Sequence, residues 1–168
     1  MEDFPRLAAF GHLQGVSYWQ RRLEDECARA GRHGQPFALL LIEVTGGDSQ
    51  AGYPVPPAEG VLVLVAESLR RTIRGSDVLC RLTPTRFGVL VLQTNARGGQ
   101  TVARRLHLAS LRAVARSLPP NLLPCIAVGQ AVFTPECSSP GALTATAEAA
   151  LGQQHDVTAA VLSMVNGQ

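Results

Sequence analysis

Charge is scarce in this chain and aromatic residues scarcer. Of 168 residues, 17% are charged and 5% aromatic, and the formal net charge is only +2. The basic residues are scattered, with few aromatic rings between them. That pattern argues against nucleic acid as a partner. No apolar run is long enough to cross a bilayer, so direct membrane insertion is not expected. The start, Met1-Glu2-Asp3-Phe4-Pro5, has neither the basic head nor the apolar run of a secretory leader, and a cytoplasmic location is expected. The four cysteines, Cys27, Cys80, Cys125 and Cys137, are far apart and form no C-x-x-C. They read as reduced thiols, two of them in predicted strands. The histidines, His12, His33, His107 and His155, make no pair at helical spacing, so no metal site is expected from them.

What is abundant is apolar: 46% of the chain, enough for the core of one domain. Residues 1–16 read as an irregular segment and 17–168 as a single domain without repeats or an internal linker. Ser17 is placed to cap a helix through about Arg32, with Trp19, Leu23, Cys27 and Ala30 at helical spacing. Phe37 to Val44 is nearly all apolar, as a central strand covered on both faces would be. Thr45 to Pro57 is a Gly- and Pro-rich loop. The following segment contains VLVLV, which suits a strand. However, Leu62, Val65, Ala66, Leu69 and Ile73 recur at helical spacing, which predicts a helix ending near Arg74-Gly75. Val78–Leu82 and Phe87–Leu92 form a hairpin around Thr83-Pro84-Thr85-Arg86. A helix to about Arg116, a strand over Pro124–Phe133, an Ala-rich helix from Ser139-Pro140 to about Gln154 and a last strand over Thr158–Val165 complete the order. The expected fold is an α/β sandwich, a sheet of about five strands with helices on both faces.

The phrases RAGRHGQPFALLLIEV, LVAESLRRTIRGSDVLCRL, FGVLVL, VARRL and AVGQAVF followed by ATAEAAL stand in this order over most of the chain. Together they make it resemble the GGDEF domain of the diguanylate cyclase family. The resemblance implies a nucleotidyl cyclase-type sandwich. In that family two domains each bind one GTP and condense the pair to cyclic di-GMP, a phosphoryl transfer that needs metal-bridged phosphates. The family's Gly-Gly-Asp/Glu-Glu-Phe turn is here Thr83-Pro84-Thr85-Arg86-Phe87. Pro84 denies the close backbone approach that paired glycines allow and removes an N–H. Thr85 carries no charge, and Arg86 stands where the family has a metal-ligating acid and repels a cation. The family's Asp-x-Asp at the end of the first strand reads Glu43 and Thr45. Its nucleotide loop is replaced by GGDSQAGYPVPPAE, with only Glu59 near the last acid. Gly152 and His155 occupy its Tyr and Lys positions. Glu43, Thr45, Thr83, Pro84, Thr85 and Arg86 are therefore expected to be vestigial, with no catalysis and no magnesium.

A second family site, for the product, uses Arg-x-x-Asp before the hairpin and an arginine on the next helix. Arg74, Asp77 and Arg105 match it. A guanidinium suits the O6/N7 edge of guanine, and a carboxylate suits its N1–H and amino group. The same Arg and Asp also read as a surface ion pair of little worth, and Arg104 and Arg105 as a solvated helix face. Two functions follow as expectations. One is an inactive regulatory receptor for cyclic di-GMP. The other is a ligand-independent interaction or scaffold domain, paired with a protein partner or a second copy, docking for instance through Tyr53-Pro54-Val55-Pro56-Pro57.

Overall fold

The computed structural model describes residues 13–46 and 56–166. Helix α1 (Val16–His33) is followed by β1 (Ala38–Thr45), α2 (Glu59–Thr72), β2 (Val78–Thr83), β3 (Arg86–Val91), α3 (Ala96–Ala115), a short 3-10 turn at Pro120–Leu122, β4 (Cys125–Val132) and α4 (Pro140–Asn166). The strands form one sheet in the order β2-β3-β1-β4, with each neighbouring pair antiparallel.

The apolar run of β1 is explained by its place. It is central, and alternate side chains enter two different cores. Ala38, Leu40, Ile42 and Val44 pack with Leu62, Val65 and Leu69 of α2 and Val102 and Leu106 of α3. Leu39 and Leu41 pack with Trp19 and Leu23 of α1 and Leu143, Ala147 and Leu151 of α4. Helices thus cover both faces, as expected. Two glycines set how closely they approach. A Cβ on Gly88 of β3 would stand 2.7 Å from the Trp19 ring, and one on Gly129 of β4 would stand 2.1 Å from the Ala147 carbonyl oxygen. Neither α1 nor α4 could keep its seat over a larger residue.

Three expectations need correction. Ser17 is not the cap of α1. Gly15 is, with no side-chain bond, and Ser17 lies inside the first turn. The sheet has four strands among the described residues, not about five. The expected last strand, Thr158–Val165, continues α4 instead. No proline and no turn cluster separates Gln154 from Thr158, and Ala, Leu and Gln favour carrying the helix on. The expected irregular segment 1–16 is described only from Leu13. There Leu13 is buried, the Gln14 carbonyl accepts from the Arg81 N–H at 3.3 Å, and the helix begins at Val16. His12 and Tyr53-Pro54-Val55 lie outside the described residues, as does the His155 side chain.

The four cysteines are free thiols. Cys27 and Cys80 are buried, and Cys125 and Cys137 are half-buried. Burial pushes the Cys80 thiol up to about 12. Burial first, then the neighbouring Cys137 and Glu26, pushes Cys27 up to about 11.

Candidate functional site

The β2–β3 turn folds back over the end of β1. Its ladder slips between Arg81 and Thr83, which leaves Pro84 and Thr85 as the turn. The Thr85 N–H donates to Thr83 Oγ1 at 3.3 Å, and the Thr85 carbonyl accepts from the Val44 N–H at 2.9 Å. This geometry puts Glu43 of β1 directly opposite Arg86 of β3.

The Glu43 carboxylate is then answered at both oxygens. Arg86 Nε donates to Oε2 at 2.5 Å, and Thr85 Oγ1 donates to Oε1 at 2.8 Å. Arg86 also reaches Glu148 of α4, at 3.3 Å. The Glu43 side chain is only 15% exposed, so this is a cross-strand ion pair in a partly dry place. Arg81 spans the outer side of the turn. It donates to the Pro84 carbonyl at 2.7 Å and to Glu59 at 3.2 Å. Thr45 Oγ1 leans on the Cys125 carbonyl at 3.5 Å.

The donor set here does not fit a divalent cation. Such an ion needs several anionic or carbonyl oxygens turned toward it. Here one carboxylate is neutralised by a guanidinium, and among the described residues no three His, Cys, Asp or Glu side chains converge. The roles of Arg81 and Glu148 were not anticipated from the sequence. Arg81 was legible only as an alternating strand residue, and Glu148 lies 62 positions from the arginine it meets.

The second constellation is built at the other end of β2. Asp77 closes the turn between α2 and β2. Its Oδ2 accepts from the Arg74 N–H at 2.9 Å, and its Oδ1 from the Leu92 N–H at 3.2 Å, just past β3. The Asp77 N–H returns a bond to the Arg74 carbonyl at 3.1 Å. Each Asp77 oxygen keeps a second lone pair. The Arg74 residue is exposed. Arg105, also exposed, lines a groove of about 630 Å³ along α3 with Thr72 from the last turn of α2. The structure brings Arg74 and Asp77 into one turn, but neither lines the groove that holds Arg105.

Residues 10–157 match the family model described as "Diguanylate cyclase, GGDEF domain". The chain belongs to the GGDEF family. Among curated relatives, it is 28% identical over 124 residues to the "Probable diguanylate cyclase DgcC" of Escherichia coli K12. That stretch is 72% of this chain but 33% of the relative, so the chain spans about a third of the relative's length. Solved structures share the fold. The GGDEF domain of PA1120 (TpbB or YfiN) from Pseudomonas aeruginosa superposes with a TM-score of 0.68 at 24% identity, covering 86% of this chain and 85% of that one. The GGDEF domain of DgcB from Caulobacter crescentus, in complex with c-di-GMP, gives 0.70 at 17% identity, covering 93% of each. Diguanylate cyclase SiaD from Pseudomonas aeruginosa, in complex with its activator SiaC, gives 0.70 at 23% identity, covering 90% of this chain and 58% of that one.

Proposed function

We propose that this GGDEF domain is catalytically silent and serves as a cytoplasmic regulatory receptor for cyclic di-GMP. The observation that carries the first half is the closed Glu43 carboxylate, held by Arg86 and Thr85 where a metal-bound triphosphate would need open acidic oxygens. Removing one electrostatic partner of a phosphoryl transfer already costs orders of magnitude in rate. Here the partners at the strand end and at the turn are both altered, and no magnesium is required. The second half rests on the exposed arginines Arg74, in one turn with Asp77 after α2, and Arg105 on α3. Their chemistry suits the guanine edge and a phosphate. The c-di-GMP complex of DgcB shows that a chain of this fold takes the dinucleotide.

Two measurements test the reading. Incubation with GTP and magnesium or manganese, followed by chromatography, is expected to show no cyclic di-GMP. Calorimetric titration with cyclic di-GMP is expected to give heat with the wild type and about tenfold weaker binding for Arg74→Ala or Arg105→Ala, the loss typical of one charged hydrogen-bonding side chain. A wild type silent at high micromolar ligand rejects the receptor.

One observation favours the scaffold reading. Both Asp77 oxygens accept from backbone N–H groups, so Arg-x-x-Asp works here as a clasp for the turn. On that reading the domain docks a protein partner or a second copy without the nucleotide. SiaD, a diguanylate cyclase containing this fold, is known in complex with its activator SiaC. A pull-down whose yield ignores cyclic di-GMP, together with flat calorimetry, selects it.

A further inference from the structure

All fifteen basic residues of the chain are arginines; it contains no lysine. Five of them, Arg22, Arg29, Arg71, Arg81 and Arg86, each meet a carboxylate. The α3 groove is different. Arg97, Arg104, Arg105 and Arg112 all line it, all are exposed, and among the described residues none of them meets an acid. Helix α3 contains no Asp or Glu at all. In the middle of this basic surface stands Leu108, 44% exposed and part of the same groove.

We infer that the groove is a docking surface for an acidic segment of a partner protein, one that carries an apolar side chain for Leu108. Four like charges on one face repel one another, so a partner that neutralises them gains both the new attraction and the relief of that repulsion. Guanidinium forks bind carboxylates bidentately, and arginine is over-represented among the residues that dominate interface energies. The apolar centre distinguishes this partner from a nucleic acid. The groove offers no aromatic ring for a base to stack on, and single-stranded nucleic acid relies on such rings. Its concave shape fits a chain segment better than a flat bilayer.

The spacing sets the segment's length. Arg97, Arg104 and Arg112 lie seven and eight residues apart on α3, about 10 and 12 Å along the axis. An extended chain advances about 3.3 Å per residue. Carboxylates three to four residues apart, over about seven residues, therefore meet the three arginines in turn.

The test is fluorescence anisotropy on the full chain at about 0.15 M salt, where weak surface attraction is screened. The probes are a labelled decapeptide of Asp and Glu with a central Leu, the same peptide with Ser at the centre, and a single-stranded oligonucleotide of equal charge. Saturable micromolar binding of the first is expected, weakened roughly fivefold by the central Ser and roughly tenfold or more by Arg112→Glu or Arg97→Glu. No saturation by 100 µM (roughly −5.5 kcal/mol) overturns the proposal, as does equal binding by Arg112→Glu. A tighter fit of the oligonucleotide overturns it in favour of a nucleic acid. Arg97 and Arg112 lie outside Arg74, Asp77 and Arg105. Cyclic di-GMP calorimetry on Arg112→Ala, which adds no negative charge beside Arg105, should therefore match the wild type closely, so this inference and the receptor reading fail independently.

Discussion

The β2–β3 turn and the α3 face both gather arginines, and they treat them in opposite ways. At the turn, Arg86 meets Glu43 and Glu148, and Arg81 meets Glu59 and a backbone carbonyl. Along α3, four arginines stand in one groove with no acid among them. A charge answered inside the fold contributes to stability and has little left to offer a ligand. A charge left unanswered at the surface contributes nothing to stability and is available for binding. The Glu43 carboxylate at the strand end is internally satisfied, whereas the four arginines of the α3 groove are not.

The contrast breaks most visibly at Arg86. Removing it in Arg86→Ala leaves Glu43, 15% exposed, with only the Thr85 hydroxyl. Fully buried pairs cost about 3–5 kcal/mol when one partner is lost, and solvent at Arg86 discounts this to about 2–3 kcal/mol. Urea unfolding followed by fluorescence of the single Trp19, itself buried, reads the change. The double variant Arg86→Ala with Glu43→Gln should recover most of the loss, because the stranded charge is gone. A single-variant cost under about 0.5 kcal/mol would mean that the turn holds no such lock.

Asp77 comes next, and it separates clasp from ligand. Asp77→Ala frees two backbone N–H groups, one at Arg74 and one at Leu92. Charge-assisted bonds of this kind are worth about 1–2 kcal/mol together in a half-exposed turn. Arg74→Ala, by contrast, keeps its N–H and should unfold at the wild-type urea concentration. If Asp77→Ala is as stable as wild type but loses cyclic di-GMP, the carboxylate works for the ligand and not for the fold.

The third effect is alkaline and belongs to the core beneath α1 and α4. The thiols of Cys27 and Cys80 are raised to about 11 and about 12, from 9.0. For a raised group, the stability is whole below the unfolded value and is lost as pH rises toward the folded one. Unfolding free energy should therefore hold up to about pH 8 and fall by about 1 kcal/mol per thiol by pH 10. Cys80→Ala should flatten that fall relative to its own value at pH 8. An equal slope in the variant would show that Cys80 titrates normally.

Much of the fold was legible because it is local. The period-3.6 recurrence of Leu62, Val65, Ala66 and Leu69 outweighed the strand-like VLVLV, and those four side chains do form the buried face of α2. The nearly continuous apolar run Phe37–Val44 announces a strand buried on both faces. Where local signals were weak the reading failed. Ser17 looked like a cap, yet the chain turns into the helix two residues earlier at Gly15. Val and Thr in 158–165 looked like a strand, yet nothing stops α4 before them. The site was legible in its residue types and not in its bonds. That Glu43 faces Arg86 follows only from the register of two strands 43 residues apart. Along the sequence the basic residues form no patch, because Arg97, Arg104, Arg105 and Arg112 share one surface only once α3 is wound and set beside Thr72.

The smallest expected effect tests the other half of the comparison. Arg97→Ala and Arg112→Ala remove guanidinium groups that hold nothing among the described residues, in a groove where their neighbours carry the same charge. Each should leave the urea midpoint within about 0.5 kcal/mol of wild type, shifted if at all toward greater stability, as relief of like-charge repulsion requires. The shift should shrink with added salt, since screening already weakens repulsion between exposed charges over about 10 Å. If instead either variant loses more than about 1 kcal/mol, its arginine has an internal structural partner, and α3 resembles the turn rather than opposing it.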